Sequence, residues 1–190
     1  TDCPADMASN RRRICNLRLT SGETAVHADM LVWSPDETPQ GAALPILSSL
    51  FGVIQYSMVL QTIPETHRNV VRHWLKFTQD HRSTLMRGEF RPHQPQAGFP
   101  IVEAESDKER IIAVYVSGVA AASGSIDKPV YIINATGAKS LVVELPAAAK
   151  VEYFDTFGIK AGSAEVGAGL RRLDIPASGY AIITRHGSAR

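Results

Sequence analysis

Phe51-Gly52-Val53-Ile54-Gln55-Tyr56-Ser57-Met58-Val59-Leu60, followed at once by Gln61-Thr62-Ile63-Pro64-Glu65-Thr66-His67, is the stretch whose reading decides the fold. Gly52 to Leu60 is short and largely apolar, as a strand packed in a parallel sheet would be. Thr62 and Glu65 then bracket Pro64 in a T-x-x-E pattern. In such a box each side chain reaches the other's free backbone amide, so a helix is expected next. Val70, Val71, Trp74, Leu75 and Phe77 recur at helical spacing, and the segment runs through His81 to Met86 before Gly88 ends it.

Upstream the same rhythm repeats. Thr24 to Trp33 is an apolar run interrupted by His27 and Asp29, which fits a buried strand carrying polar groups toward one end. A helix is expected from about Gly41 to Phe51, with Leu44, Leu47, Leu50 and Phe51 on one stripe and Pro45 confined to its first turn. Before it, Asp6 or Ser9 can cap a helix running through Asn10 to Leu19, which Ser21 and Gly22 stop. Strand, helix, strand, helix is the order of a parallel α/β barrel, in which functional residues sit where strands end.

Downstream the period changes from helical to alternating. Ile101–Glu105, Arg110–Ser117, Val130–Asn134, Ser140–Leu145, Val151–Phe157, Leu170–Ile175 and Tyr180–Arg185 are short β runs separated by turn residues, as in an antiparallel sandwich. The Ala/Ser/Gly stretch from Gly118 to Ser125 reads as a loop. The expected fold is therefore α/β plus all-β: the end of a (β/α)8 barrel over residues 1–98, then a C-terminal antiparallel β-sandwich over 99–190.

The 190 residues carry 20 Lys+Arg against 19 Asp+Glu, a net charge of +1, so no strong field draws nucleic acid or an acidic membrane. A small neutral polar substrate suits that balance better. Two cysteines, Cys3 and Cys15, are too few for a disulfide scaffold and lack the C-x-x-C spacing of a zinc or redox site. No apolar run reaches the roughly 18 residues of a membrane span. The expectation is a soluble protein, with the cytoplasm favoured over export.

The residues that could carry chemistry lie early: Asp2 and Asp6, the arginines Arg11, Arg12 and Arg13, then His27 and Asp29. Burial raises a carboxyl pKa and a nearby cation lowers it, so acids beside arginines can be tuned as general acids or bases. Asp6 equally suits a helix cap, and a triple arginine equally suits a solvated or ion-paired face. His27-Ala28-Asp29 puts two polar side chains on one strand face, yet falls short of the ligand set of a zinc site, so neither metal nor cofactor is expected. His67, His73, His81 and His93 read as helix-surface or interface residues. Of the two tryptophans, Trp33 at a strand end is the better platform for a sugar face.

The stretch from Phe51 to Leu60, then Ile63-Pro64-Glu65-Thr66-His67, Trp74-Leu75-Lys76-Phe77, His81-Arg82 and Gly88-Glu89-Phe90-Arg91-Pro92, resembles the end of the catalytic barrel of glycoside hydrolase family 36. There an "FG…GYE/S…L" strand leads through "LxxEE" and "YK…R" to "GxFYR". Thr24 to Asp29 resembles that family's seventh strand, and Asp2-Cys3-Pro4-Ala5-Asp6 the acidic end of its sixth. Gln55, Ser57 and Asp29 depart from the usual residues. The resemblance implies a retaining α-galactosidase, which needs two carboxyl groups about 5–5.5 Å apart. It further implies Asp2 as acid/base, Asp6 in support as cap or partner, His27, Asp29 and Trp33 as substrate-binding residues, and a nucleophile outside these residues. The implied partner is an α-galactoside or related oligosaccharide, with homo-oligomerisation or association with the rest of a barrel to complete the fold.

Two other classes compete. A non-catalytic carbohydrate-binding sandwich needs aromatics on one exposed face, for which Tyr115, Tyr131, Tyr153 and Phe154 are the candidates, although they alternate poorly. A purely structural module needs none.

Overall fold

The computed structural model describes residues 6–22 and 24–185. The first helix, α1 (Met7–Thr20), begins where Asp6 accepts a hydrogen bond from the Ser9 amide at 2.8 Å. It ends at Ser21, ahead of a left-handed Gly22. Strand β1 (His27–Leu31) runs parallel to β2 (Val53–Tyr56), and α2 (Pro39–Ser48) connects them. Then come α3 (Glu65–Asp80) and the short α4 (Arg82–Arg87).

Local chemistry shifts two of the expected helix starts. Thr38 caps α2 through the Gly41 amide at 3.0 Å, which places Pro39 at the favoured first position and leaves Pro45 inside the helix rather than in its first turn. The Thr62–Glu65 box does not form. Glu65 is the first residue of α3 and so two positions early for the box, Thr62 donates to the Val59 carbonyl at 2.9 Å, and Glu65 pairs with Arg68. The apolar spacing nonetheless holds: Val70, Val71, Trp74 and Phe77 are buried on one stripe of α3.

From there the chain is β: β3 (Glu89–His93), β4 (Ile101–Glu105), β5 (Arg110–Val114), β6 (Ala120–Ala122), β7 (Val130–Asn134), β8 (Leu141–Leu145), β9 (Ala149–Phe154), β10 (Lys160–Val166), β11 (Gly169–Leu173) and β12 (Tyr180–Arg185). Seven of these form one sheet in the order β10-β9-β12-β7-β5-β4-β3, and β11-β8-β6 form a small second sheet.

The seven-stranded sheet is the middle layer, and its period-2 alternation divides the core in two. Ile111, Ala113, Ile133 and Tyr180 face the helices, beside Trp74, Phe77 and Ile14. Their neighbours Ile112, Val114, Ile132, Ala181 and Ile183 face the small sheet, beside Val143, Leu145 and Leu173. Each buried leucine or isoleucine side chain contributes about 1.5–3 kcal/mol by leaving water.

This architecture overturns the expected (β/α)8 barrel end followed by an antiparallel sandwich. No barrel closes among the described residues, because β1 and β2 are the whole of the parallel α/β sheet and closure with filled layers takes about eight strands. The strand after α4 does not return beside β2; β3 pairs antiparallel with β4 and becomes the edge of the seven-stranded sheet. That sheet carries helices on one face, and both larger β layers are mixed, since β5–β7 and β6–β8 are parallel pairs. The protein is a mixed α/β fold in three sheets.

The helical layer is tied to the sheet by Arg11. Rather than facing solvent, it is buried, donates through Nε and Nη2 to the Gly98 carbonyl at 3.2 Å each, and lies 4.5 Å from the centre of the Tyr115 ring. Tyr115 in turn donates to the Leu47 carbonyl at 2.9 Å.

Candidate functional site

Ligands of parallel α/β sheets gather outside the carboxyl ends of the strands. In this chain those ends are the segments after Leu31 and Tyr56, and the first of them carries Trp33. Its half-buried ring packs against the helix-side core. The indole N–H donates to Nδ1 of His67 at 3.2 Å, the two rings meeting edge to face at 66°. An indole N–H can only donate, so Nδ1 must be the bare nitrogen and the proton sits on Nε2. From there it is donated to the Glu37 carbonyl at 2.9 Å. His67 is 1% exposed and comes from the first turns of α3. It fixes both the ring of Trp33 and the loop that leads into α2.

Beyond Glu37 the surface opens into a cleft of about 710 Å³ between the start of α2 and the turns of the seven-stranded sheet. Glu37, Gln40, Lys139, Asp155, Asp174 and Ser178 supply its polar wall. Gly41 leaves room for Glu37: a Cβ there would stand 2.6 Å from Oε2, so the carboxylate lies over the first turn of α2, where the helix dipole favours negative charge. Ser178 donates to the Gln40 carbonyl at 2.9 Å and closes the floor. Asp155 is already engaged, accepting from the Phe157 and Ile159 amides at 2.9 Å each, so it shapes its own turn. Glu37 and Asp174 are exposed at the rim. Among the described residues lining the cleft, Lys139 is the one cation and none is aromatic.

The residues singled out from the sequence do not all converge here. Asp2 and the Asp29 side chain lie outside the described structure. Asp6 is exposed and caps α1; the Ser9 amide and hydroxyl, both 2.8 Å from its oxygens, hold its carboxyl below the usual range. His27 opens β1, level with Val53, whereas Trp33 follows the far end of the strand. Six positions, broken by Met30 at a φ of +58°, separate the two. Among the described residues no three His, Cys, Asp or Glu side chains converge as metal ligands.

The sequence reading of His67 as a helix-surface or interface residue gave it no part in the site, yet it is 1% exposed. A signal for it existed: positions 67, 70, 71 and 74 repeat at i, i+3, i+4 and i+7, so His67 belongs to the same buried stripe as Trp74. Comparison with protein-family models and with curated proteins finds no match to this chain.

Proposed function

We propose that this chain is part of a retaining glycoside hydrolase of the α-galactosidase kind, to which it contributes a sugar-binding wall rather than the nucleophile. The observation that carries the reading is Trp33, held at the carboxyl end of a parallel strand by His67, whose other ring nitrogen bonds the carbonyl of Glu37 in the wall of a cleft with carboxylates at its rim. An indole face covers the apolar C–H face of a galactoside, while carboxylates and backbone carbonyls accept from its hydroxyls. The likeness of Phe51 to Pro92 to the family supports the sugar class. Asp2 keeps its role as acid/base within the proposal, and Asp6 supports it by fixing the start of α1.

The test uses the full 190-residue chain. Titration with methyl α-D-galactoside, followed by tryptophan emission and calorimetry, is expected to saturate, and Trp33→Ala to weaken binding about ten-fold. The same chain is expected to leave aryl α-galactosides uncleaved, since one of the two carboxyl groups is assigned elsewhere. Absence of saturable binding, or equal binding by Trp33→Ala, favours a structural module. Turnover by the chain alone overturns the assignment of the nucleophile.

A further inference from the structure

Both ring nitrogens of His67 are committed, and to partners of different kinds. Nδ1 accepts from the Trp33 indole at 3.2 Å, and Nε2 donates to the Glu37 carbonyl at 2.9 Å. Only the neutral ring can do both, because an imidazolium carries a proton on each nitrogen and accepts nothing. The indole cannot reverse its bond, as a hydroxyl could, since its N–H is a donor only. A proton gained by His67 therefore sets N–H against N–H and breaks the bond that orients Trp33. A glutamine would bridge the same two groups; what histidine adds is a place for a proton.

Among the described residues no paired carboxylate offsets that loss. Along the elements that meet the ring, the charged residues are Asp36 and Glu37 before α2 and Glu65, Arg68 and Arg72 on the first two turns of α3, whereas α2 itself and residues 32–35 carry none. Glu65 is taken by Arg68 and Arg72, and His67 forms no ion pair. His81 and His93 differ. They stand beside Glu109 at 2.8 Å and Glu103 at 3.5 Å, so a proton there strengthens an existing contact.

The Glu37 loop is one wall of the cleft, so a single ring holds both that wall and Trp33. A second histidine of α3, His73, stands against Gly158 in the turn that begins at Asp155, a residue of the opposite wall. Its neighbours are the rings of Trp74, Phe77 and Tyr180, and Asp155 is the charge that acts on it. Its Nε2 has no hydrogen-bond partner, so a proton arriving there breaks no bond to the wall.

We infer that His67 is a proton switch for the Trp33 site: the neutral ring holds Trp33 and the Glu37 loop in the arrangement that receives ligand, and the protonated ring releases Trp33. The switch rests on the two hydrogen bonds alone; its effect on sugar affinity rests on the function proposed above.

Nuclear magnetic resonance of the isotope-labelled full chain tests the inference, with the Trp33 indole N–H signal identified by its loss in Trp33→Phe. Between about pH 8 and about pH 5, where histidines change charge, that signal is expected to shift or broaden in step with the His67 ring, while far-ultraviolet circular dichroism stays constant. His67→Gln keeps one acceptor and one donor and does not titrate, so the signal is expected to stay fixed. His73→Phe keeps a ring on Tyr180 and is expected to leave the transition in place. Should His67→Gln fold poorly, the parent decides alone: the Trp33 signal must follow His67 and no other histidine. Affinity for methyl α-D-galactoside is expected to fall about ten-fold over the same pH range in the parent, as the competent population shrinks, and to stay level in His67→Gln. A Trp33 signal indifferent to pH, or a transition that survives His67→Gln or vanishes in His73→Phe, overturns the inference. A signal that moves with His67 while no sugar binds at any pH supports the switch and overturns the sugar reading instead.

Discussion

Trp33 donates its indole N–H to Nδ1 of His67 at 3.2 Å, and this bond depends on His67 being neutral with its proton on Nε2. His67→Phe keeps the apolar stripe of α3 but removes both hydrogen bonds, leaving the Trp33 donor and the Glu37 carbonyl to find other partners. The expected loss is about 2 kcal/mol in urea unfolding, together with a change in emission assigned to Trp33, because Trp74 is fully buried and distant in role. An unaltered midpoint and spectrum would show that Trp33 is positioned by packing alone.

Glu105 sits among three cations: Arg91 at 2.9 Å, Arg110 at 2.7 Å and Lys128 at 2.8 Å. Burial by itself raises its pKa, but the hydrogen bonds from Lys128, Arg91 and Arg110 outweigh this and hold the carboxyl at about 2. A carboxyl whose folded pKa lies below its unfolded value stabilises the fold above that unfolded value. The contribution fades as acid protonates it, from about pH 5 down to about pH 2. Glu105→Gln leaves three cations crowded around a neutral amide and is expected to cost about 3 kcal/mol at neutral pH. It should also shallow the acid limb of the stability curve, measured by denaturant midpoints between those pH values. A variant with the parental acid limb would remove Glu105 as its source.

How far the sequence disclosed this fold depended on which residues spoke for themselves. Near-continuous runs of Ile, Val and Ala marked β5, β7 and β12 because both faces of those strands are largely buried. The strands that escaped notice have weak local signals. Ala120 to Ala122 carry little β preference, β10 contains Gly162 and Ser163 within an exposed edge, and β3 contains Pro92, tolerated at an edge because no ladder donor is needed there. The barrel expectation failed for a related reason. Two βα units look alike locally whether or not more strands follow, and pairing of β3 with β4 is decided by the seven-stranded sheet as a whole. At the candidate site Trp33 was visible as a strand-end aromatic, whereas the bond that orients it spans 34 positions and no local pattern encodes it.

Cys15 is 1% exposed, and burial pushes its thiol up to about 12 against the opposing pull of Arg11 and Arg18. The thiolate is the reactive species, so at pH 8 only about one thiol in ten thousand would be competent even with free access. Iodoacetamide at that pH is expected to leave Cys15 unmodified in the folded chain and to label it once urea is added, as read by peptide mapping. Labelling under native conditions would mean that α1 opens from the sheet far more often than its packing suggests.

The turn after β9 makes the sharpest steric forecast. Gly158 has a φ of +76°, a conformation that side chains rarely adopt, and a Cβ added to it would stand 2.3 Å from Cε1 and Nδ1 of His73. Neither partner can yield easily. The turn is fixed by Asp155, whose carbonyl accepts from Gly158 and whose carboxylate accepts from Phe157 and Ile159. The His73 ring is stacked on Tyr180, with centroids 5.8 Å apart and planes within 7°, and Tyr180 is stacked in turn on Phe154 at 4.8 Å. Gly158→Ala therefore combines backbone strain of about 1 kcal/mol or more with displacement of a ring from a packed aromatic column, and a total loss of about 3 kcal/mol is expected. His73→Ala empties the space at a cost of about 2 kcal/mol in lost stacking and burial. The double variant should then lose less than the sum of the two, because the clash has gone and only the strain remains, giving a coupling of about 1 kcal/mol or more in a double-mutant cycle. Strictly additive losses would place the whole Gly158 effect in the backbone and leave the His73 contact without energetic weight.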